Sequence, residues 1–432
     1  WSTPGQVDQE LLHLLKRCRH ALVGDTGHQT AALLLQLDAH IAHKSTMAIG
    51  ADVATTDPGQ GPALARGTLA ALPDDCDPGV RCEVLNECRW GLYDQASPAE
   101  LLAISTQLHD AAISAQSGYF RSESLVALAI DQVRLGQIRR ALSVVETHRE
   151  HLAHSPRMLG TWLQGTLDTL MDLWRGDFPA AADRIFGEAQ RTVEQLEASR
   201  VVPAGTLRQT WDGQCFWLLR ERGQMADLFR LAVADRAEQH GYFPIWRSGL
   251  ILALGETGQF QAAMDRLTAM VRAEADLTAL PPSGWAVPTL GLLAEAVGVL
   301  DEAGAGRDEL PRIAEMIHAR LEPHLGEIAL AGWPTALIGP VARLAGIVSR
   351  AAGDHDRALR YFDRGLPLVA DSPPQLARLR VDRATTLLRL GGPAAVAEAT
   401  ELLRLAIPAT QSLGMRLLAD QASALRDRLP PH

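Results

Sequence analysis

At 432 residues the chain exceeds the ~250–300 residues at which a single compact core stops growing, so it forms several domains or one elongated repeat array. Apolar residues make up 47% but aromatics only 5%, and Leu, Ala and Val carry the load, which favours helices packed through small residues over a β-sandwich. The net charge is −10, and Lys16 and Lys44 are the only lysines among 41 basic residues, so direct nucleic-acid binding by this region is not expected.

No apolar run approaches the ~20 residues of a membrane span, and no basic segment followed by an apolar one opens the chain. No membrane association is expected. The five cysteines (Cys18, Cys76, Cys82, Cys88 and Cys215) are odd in number, which argues against a disulfide scaffold and for a reducing, cytoplasmic setting.

Two helices are predicted first, over Gln6–Leu22 and Thr30–Lys44. Ser45 to Pro78, with Pro58, Gly59 and Gly61, reads as irregular. Glu83–Tyr93 and Pro98–Ala115 form the next helical pair. Leu125–Leu135 and Ile138–Leu152 follow, separated by Gly136, and then Gly160–Arg175 and Pro179–Leu196, separated by Gly176. Asp177 is placed to cap the last of these, with Pro179 in its first turn.

The centre of the chain, Gln214 to Val271, reads as two hairpins: Gln214–Arg222 with Gln224–His240, and Ile245–Thr257 with Gln259–Val271. In the last helix Phe260, Ala263, Met264, Leu267, Met270 and Val271 lie on one stripe of 3.6-residue period. Such a hairpin cannot bury its own stripe and must stack on neighbours. After Pro281–Pro282, the pairs are Trp285–Leu300 with Leu310–Leu325, Val341–Ala352 with His355–Ala370, and Leu376–Leu390 with Ala394–Ile407. A closing helix spans Gly414–Leu429 and stops at Pro430.

Turn glycines (Gly136, Gly176, Gly223, Gly258, Gly353 and Gly392) punctuate the hairpins, and they recur at ~35–47 residues from Gly136 to Gly258 and again from Gly353 to Gly392, the spacing of helical-repeat proteins. Each sits where the chain reverses and a positive φ is needed. The predicted fold is all-α: a right-handed α-solenoid of stacked helical hairpins, tetratricopeptide-repeat-like. It is expected as a single array over 1–432, with less regular repeats in 1–80, central repeats in 81–280 and C-terminal repeats in 281–432.

Motifs for chemistry are sparse. There is no phosphate-binding GxxxxGK[ST], no HExxH, no GxSxG and no GxGxxG after a strand, so no catalytic residue, cofactor or metal is assigned. His148, His151 and His154 fall near a helix end, where favourable placement against the helix dipole explains them better than a metal site. Cys76, Cys82 and Cys88 are too widely spaced for a zinc site, and Cys82 and Cys88 are expected to pack as small apolar groups. The Asp74–Asp77 cluster reads as a solvated turn.

Aromatic and arginine residues gather in sequence around the central hairpins: Trp211, Trp217, Arg220, Tyr242, Phe243, Trp246, Arg247 and Trp285. Trp and Arg commonly anchor ligands and partners, and the concave face of a solenoid is a natural binding surface. The competing reading is that each Trp fills the core between repeats.

Several segments carry a family resemblance. They include CRWGLYDQASPAELLAIS, TLMDLWRGDFPAAADRI, FWLLRERGQMADL, YFPIWRSGLILALGETGQFQAAMDRL, WAVPTLGLLAEAVGVL, VARLAGIVSRAAGDHDRALRYFDRGLPL and ELLRLAIPATQSLGM. The chain resembles the tetratricopeptide-like sensor region of large bacterial ATP-binding regulators of the LuxR type and related cyclase-linked signalling ATPases. The similarity runs from about Glu83 to Leu417 and extends loosely over the first eighty residues.

The resemblance implies a non-catalytic sensor or protein-interaction domain of a signalling or transcriptional regulator. It implies a protein partner or small-molecule effector, and an ATPase or output module upstream in the full-length chain. The sequence departs from the complete family pattern: it carries no ATPase motif, and it ends at Pro430-Pro431-His432 with no helix-turn-helix after the last repeat. The alternative expectation is a free-standing protein-binding scaffold with no small-molecule role.

Overall fold

A computed structural model describes residues 7–24, 27–46, 60–199 and 205–429. Among the described residues the chain is all-α apart from one short β-hairpin, and it divides into two compact units. One gathers the described residues of Trp1–Gly165, Val193–Arg208 and Leu280–Ala286; the other those of Thr166–Thr192, Gln209–Ala279 and Val287–His432.

In the first unit, helices Gln9–Leu22, His28–Thr46, Gln60–Ala71, Pro78–Leu92, Pro98–Ser114, Gly118–Arg134 and Ile138–His154 each pack on the next in sequence. Caps define their starts: Asp77 accepts from the Gly79 and Val80 N–H groups, and Ser97 from that of Glu100. The helix Gln60–Ala71 lies in the stretch expected to be irregular. Gly61 is there for close approach, since a Cβ would meet Thr46 Cγ2 at 2.6 Å and Ala42 O at 3.0 Å. Pro58, Gly59 and the end of the chain at Pro430-Pro431-His432 lie outside the described residues.

In the second unit Pro244–Glu256 pairs with Phe260–Ala273, Val341–Ala351 with His355–Gly365, and Pro373–Leu390 with Pro393–Leu413, as predicted, while Leu310–Leu321 packs on Val341–Ala351 and Arg416–Asp427 on Pro393–Leu413. Predicted turn glycines adopt positive φ at Gly176 (81°), Gly223 (67°), Gly258 (81°), Gly353 (89°) and Gly392 (90°), and Gly136 does so in the first unit (71°). Asp177 caps as predicted, accepting from Ala180 N–H at 3.1 Å.

Four local expectations are corrected. The single helix Gln224–His240 is two short pieces, Asp227–Arg230 and Val233–Gln239, broken at Ala232 with φ 53°. Leu228 and Val233 are both buried, and five residues of continuous helix would turn them away from one another. The helix Pro179–Leu196 is interrupted by a π-helical turn at Arg184–Ala189.

Phe260 sits at the edge of its predicted stripe and is 38% exposed, while the other five members are buried. Strands Ile328–Ala331 and Ala336–Pro340 form an antiparallel hairpin between helices Leu310–Leu321 and Val341–Ala351, with an irregularity between Ala329 and Leu330. No described helix is long and apolar enough to cross a membrane.

Candidate functional site

Of the eight aromatic and arginine residues singled out by sequence, seven belong to the second unit and Trp285 to the first. Trp211 is buried, and its Nε1–H donates to Ile185 O at 2.8 Å inside the π-helical turn. Trp217 is buried with the Arg220 guanidinium 5.0 Å above its ring. Phe243 is buried at the start of helix Pro244–Glu256.

Trp246 is half-buried against Ala234, Ala237 and Leu250 and donates to Gln209 Oε1 at 3.0 Å. Tyr242 is half-buried beside His240, and Arg247 pairs with Glu274. Trp285 belongs to the first unit, where it packs on Tyr93 and its N–H donates to Asp94 Oδ1 at 2.9 Å.

Of the eight, Arg220 alone lines the cavity that the second unit builds. That cavity has a volume of about 340 Å³. Its wall holds four arginines (Arg220, Arg343, Arg350, Arg378) and five carboxylates (Glu221, Glu256, Glu295, Glu302, Asp382). Seven helices supply lining residues: Thr206–Glu221, Pro244–Glu256, Phe260–Ala273, Ala286–Glu302, Val341–Ala351, Pro373–Leu390 and Arg416–Asp427.

Helical spacing explains why these side chains converge. Glu295, Gly298, Val299 and Glu302 fall at i, i+3, i+4 and i+7, and Arg343, Ile347 and Arg350 at i, i+4 and i+7, each set on one face. The helices approach closely at Gly298, where a Cβ would meet Ile347 Cγ2 at 2.7 Å.

Seven of these charges form one connected network, which Arg350 joins through Asp382 at 3.7 Å, and Arg378 with Glu221 forms a separate pair. Arg220 donates from Nε to Glu256 Oε1 and from Nη2 to Glu295 Oε2, both at 2.8 Å. Arg343 donates from Nη1 to Glu295 Oε1 at 2.6 Å and from Nε to Asp382 Oδ2 at 2.7 Å. Arg350 reaches Glu302 Oε1 at 3.0 Å and Asp301 Oδ2 at 3.3 Å, and Arg378 reaches Glu221 Oε2 at 3.0 Å.

Burial opposes charge on Glu295, yet Arg220 and Arg343 outweigh it and hold the carboxyl well below the usual range. Burial likewise opposes charge on Arg220 and Arg343. Glu256 with Glu295, and Asp382 with Glu295, outweigh it and raise both guanidinium pKa values. Three polar atoms of lining residues are buried without a hydrogen-bond partner: Arg220 Nη1, Glu256 Oε2 and Arg378 Nε. Leaving such atoms unpaired costs about 1–3 kcal/mol each, and all three are sealed from solvent.

Sequence reading missed every one of these residues except Arg220. The available signal was charge on otherwise apolar helices: Glu295 within LGLLAEAVGVL, and Arg343 and Arg350 within VARLAGIVSRA.

In the first unit His148 is fully buried, with Nε2 2.7 Å from Ser122 Oγ and Nδ1 2.7 Å from Gln164 Oε1. Ser122 and Gln164 are buried too, so this Ser–His–Gln arrangement is sealed from any substrate. His151 bonds Gly118 O and His154 bonds Glu150 O, so the three histidines take separate partners. Cys82 and Cys88 are buried free thiols, pushed by burial up to about 11 and about 12, and pack as apolar groups.

Hairpins stacked on sequence neighbours and closed by turn glycines define a helical-repeat protein of the tetratricopeptide-like kind. No family model matches the chain, and no curated protein matches it. Among solved structures it is similar to a chain of the "Crystal structure of APC/C hetero-tetramer Cut9-Hcn1". The identity is 11% and the TM-score 0.32, over 98% of this chain and 95% of that one. A superposition that loose supports nothing about function.

Proposed function

We propose that the chain is a non-catalytic sensor and protein-interaction module of a cytoplasmic bacterial signalling or transcriptional regulator. It acts as one repeat array over 1–432, and an effector in the charged cavity tunes its recognition of a protein partner. The observation that carries this reading is the meeting of seven helices at one cavity. A molecule bound there touches several hairpins at once, and it biases their packing by its difference in affinity for the two arrangements.

The lining charges are paired ions holding helices together, which suits recognition better than proton transfer. The output is assigned to a module outside this chain, with an ATPase upstream as the resemblance implies.

Hydrogen–deuterium exchange tests the proposal, using the full chain against amino acids, sugars, nucleotides and dicarboxylates. An effector is expected to slow exchange in Pro244–Glu256, Ala286–Glu302 and Val341–Ala351 together. Unchanged exchange in all three with every compound would overturn the sensor reading.

A further inference from the structure

We propose that Leu280–Ala286 is a proton-sensitive latch, a strap that docks on Asp94 in the first unit and is poised to release from it. The strap belongs to that unit, although the chain up to Ala279 and from Val287 belongs to the other.

Two hydrogen bonds to one residue fasten it. The Ser283 N–H donates to Asp94 O at 3.0 Å, and the Trp285 N–H to Asp94 Oδ1 at 2.9 Å. Arg134 Nη2 donates to Ser283 Oγ at 3.3 Å, and the Trp285 ring lies 5.3 Å from that of Tyr93. Between the two fastened residues Gly284 turns at φ 58°, and a Cβ there would run into Asp94 Oδ1, so the strap is fitted to this corner.

The turn just before the strap is strained. Ala275, Asp276 and Leu277 hold φ of 48°, 56° and 68° in succession. Non-glycine residues enter the left-handed region singly, because Cβ crowds the next carbonyl oxygen, and a run of three persists only where its surroundings enforce it. Leu277 is fully buried and its carbonyl accepts from Arg320 Nη1 at 2.8 Å, while the Asp276 N–H donates to Val271 O at 2.9 Å. Freeing the strap lets this turn relax, so strain favours release and the bonds to Asp94 oppose it.

A clasp built on a carboxyl responds to protons. Burial opposes charge on Asp94 and outweighs the Trp285 N–H and the Arg134 guanidinium, pushing its pKa up to about 7. The charged neighbours are Arg134, on helix Gly118–Arg134, and around Tyr93 the Arg89–Asp131 pair. Once released, the carboxyl returns to its ordinary value of ~3.9, so docking takes up a proton. Docking is strongest below that value and weakens as pH rises through about 7, by about tenfold between pH 6 and pH 8.

Amide hydrogen exchange of the full chain at pH 6 and pH 8, resolved to single residues and corrected for intrinsic rates, tests the latch. Protection of the Ser283 and Trp285 amides is expected to fall about tenfold from pH 6 to pH 8, while helix Gly118–Arg134 keeps its protection. Asp94→Asn still accepts from Trp285 but cannot ionise, and it is expected to remove the pH dependence. Asp276 is exposed, so Asp276→Gly relieves one left-handed residue and is expected to raise protection of both amides about threefold at either pH.

Protection of the two amides that is the same at both pH values, or that falls as far in Asp94→Asn as in wild type, would overturn the proposal. So would a parallel loss throughout helix Gly118–Arg134, which would mean unfolding of the unit instead of release of the strap. Unchanged protection in Asp276→Gly would overturn the strained turn as the force that favours release.

Discussion

Glu295 shows how single residues carry this fold. It is the one carboxylate that both Arg220 and Arg343 grip, so removing it leaves two buried guanidinium groups short of a partner. Glu295→Ala is expected to destabilise the second unit by roughly 3–5 kcal/mol, read as a lower urea midpoint. Its lowered pKa has a definite sign. Ionised Glu295 stabilises the fold above its unfolded value of ~4.3, and that contribution is lost as pH falls towards the folded value, so the gap between wild type and variant closes in acid.

His40 behaves in the opposite sense. Hydrogen bonds donated to the Glu83 and Glu87 carboxylates push its pKa up to about 9. A raised histidine contributes fully below its unfolded value of ~6.5 and loses that contribution as pH rises towards 9. His40→Asn is therefore expected to cost most at pH 6, with the difference from wild type shrinking by pH 9.5. Urea midpoints across that range measure it, and a difference independent of pH would contradict the assignment.

At the scale of elements, two kinds of glycine do different work. Gly353 reverses the chain at φ 89° and has open space around its missing Cβ, so Gly353→Ala costs only backbone strain, about 1–2 kcal/mol. Gly346 lies inside helix Val341–Ala351, where a Cβ would meet the Phe362 ring at 2.5 Å. Gly346→Ala is expected to cost about 1–3 kcal/mol by overpacking. Adding Phe362→Leu should recover part of the loss in Gly346→Ala and none in Gly353→Ala, as thermal midpoints of the four variants would show.

The turn glycines and amphipathic stripes were legible in sequence because both are local: φ at Gly353 and the alignment of Met264, Leu267 and Val271 on one stripe are set by residues within one hairpin. The β-hairpin at Ile328–Pro340 was not. Its strands are four and five residues of short apolar run, and pairing rather than periodicity makes them strands.

On the scale of the whole molecule, each compact unit is assembled from chain segments far apart in sequence. A fragment 287–432 keeps Glu295, Arg343 and Asp382 but lacks Arg220 and Glu221, leaving Glu295 with half its guanidinium partners and Arg378 without its carboxylate. It is expected to unfold at markedly lower urea than 166–432 when both are followed by circular dichroism. Equal midpoints would mean that the network is dispensable for folding.

The sequence by itself determined an all-α chain of glycine-punctuated hairpins, because helix periodicity, caps and left-handed turns are set within a few residues. Only the tertiary structure decided where function could reside. Arg220 meets Glu295 across 75 positions and Arg378 meets Glu221 across 157, spacings that no local pattern records. The tryptophans around the central hairpins drew the eye in sequence, yet burial energy takes Trp211 and Trp217 into the core. Charged residues that looked like scattered breaks in apolar helices instead converge on the cavity, since only packed neighbours let a buried ion find its counter-ion.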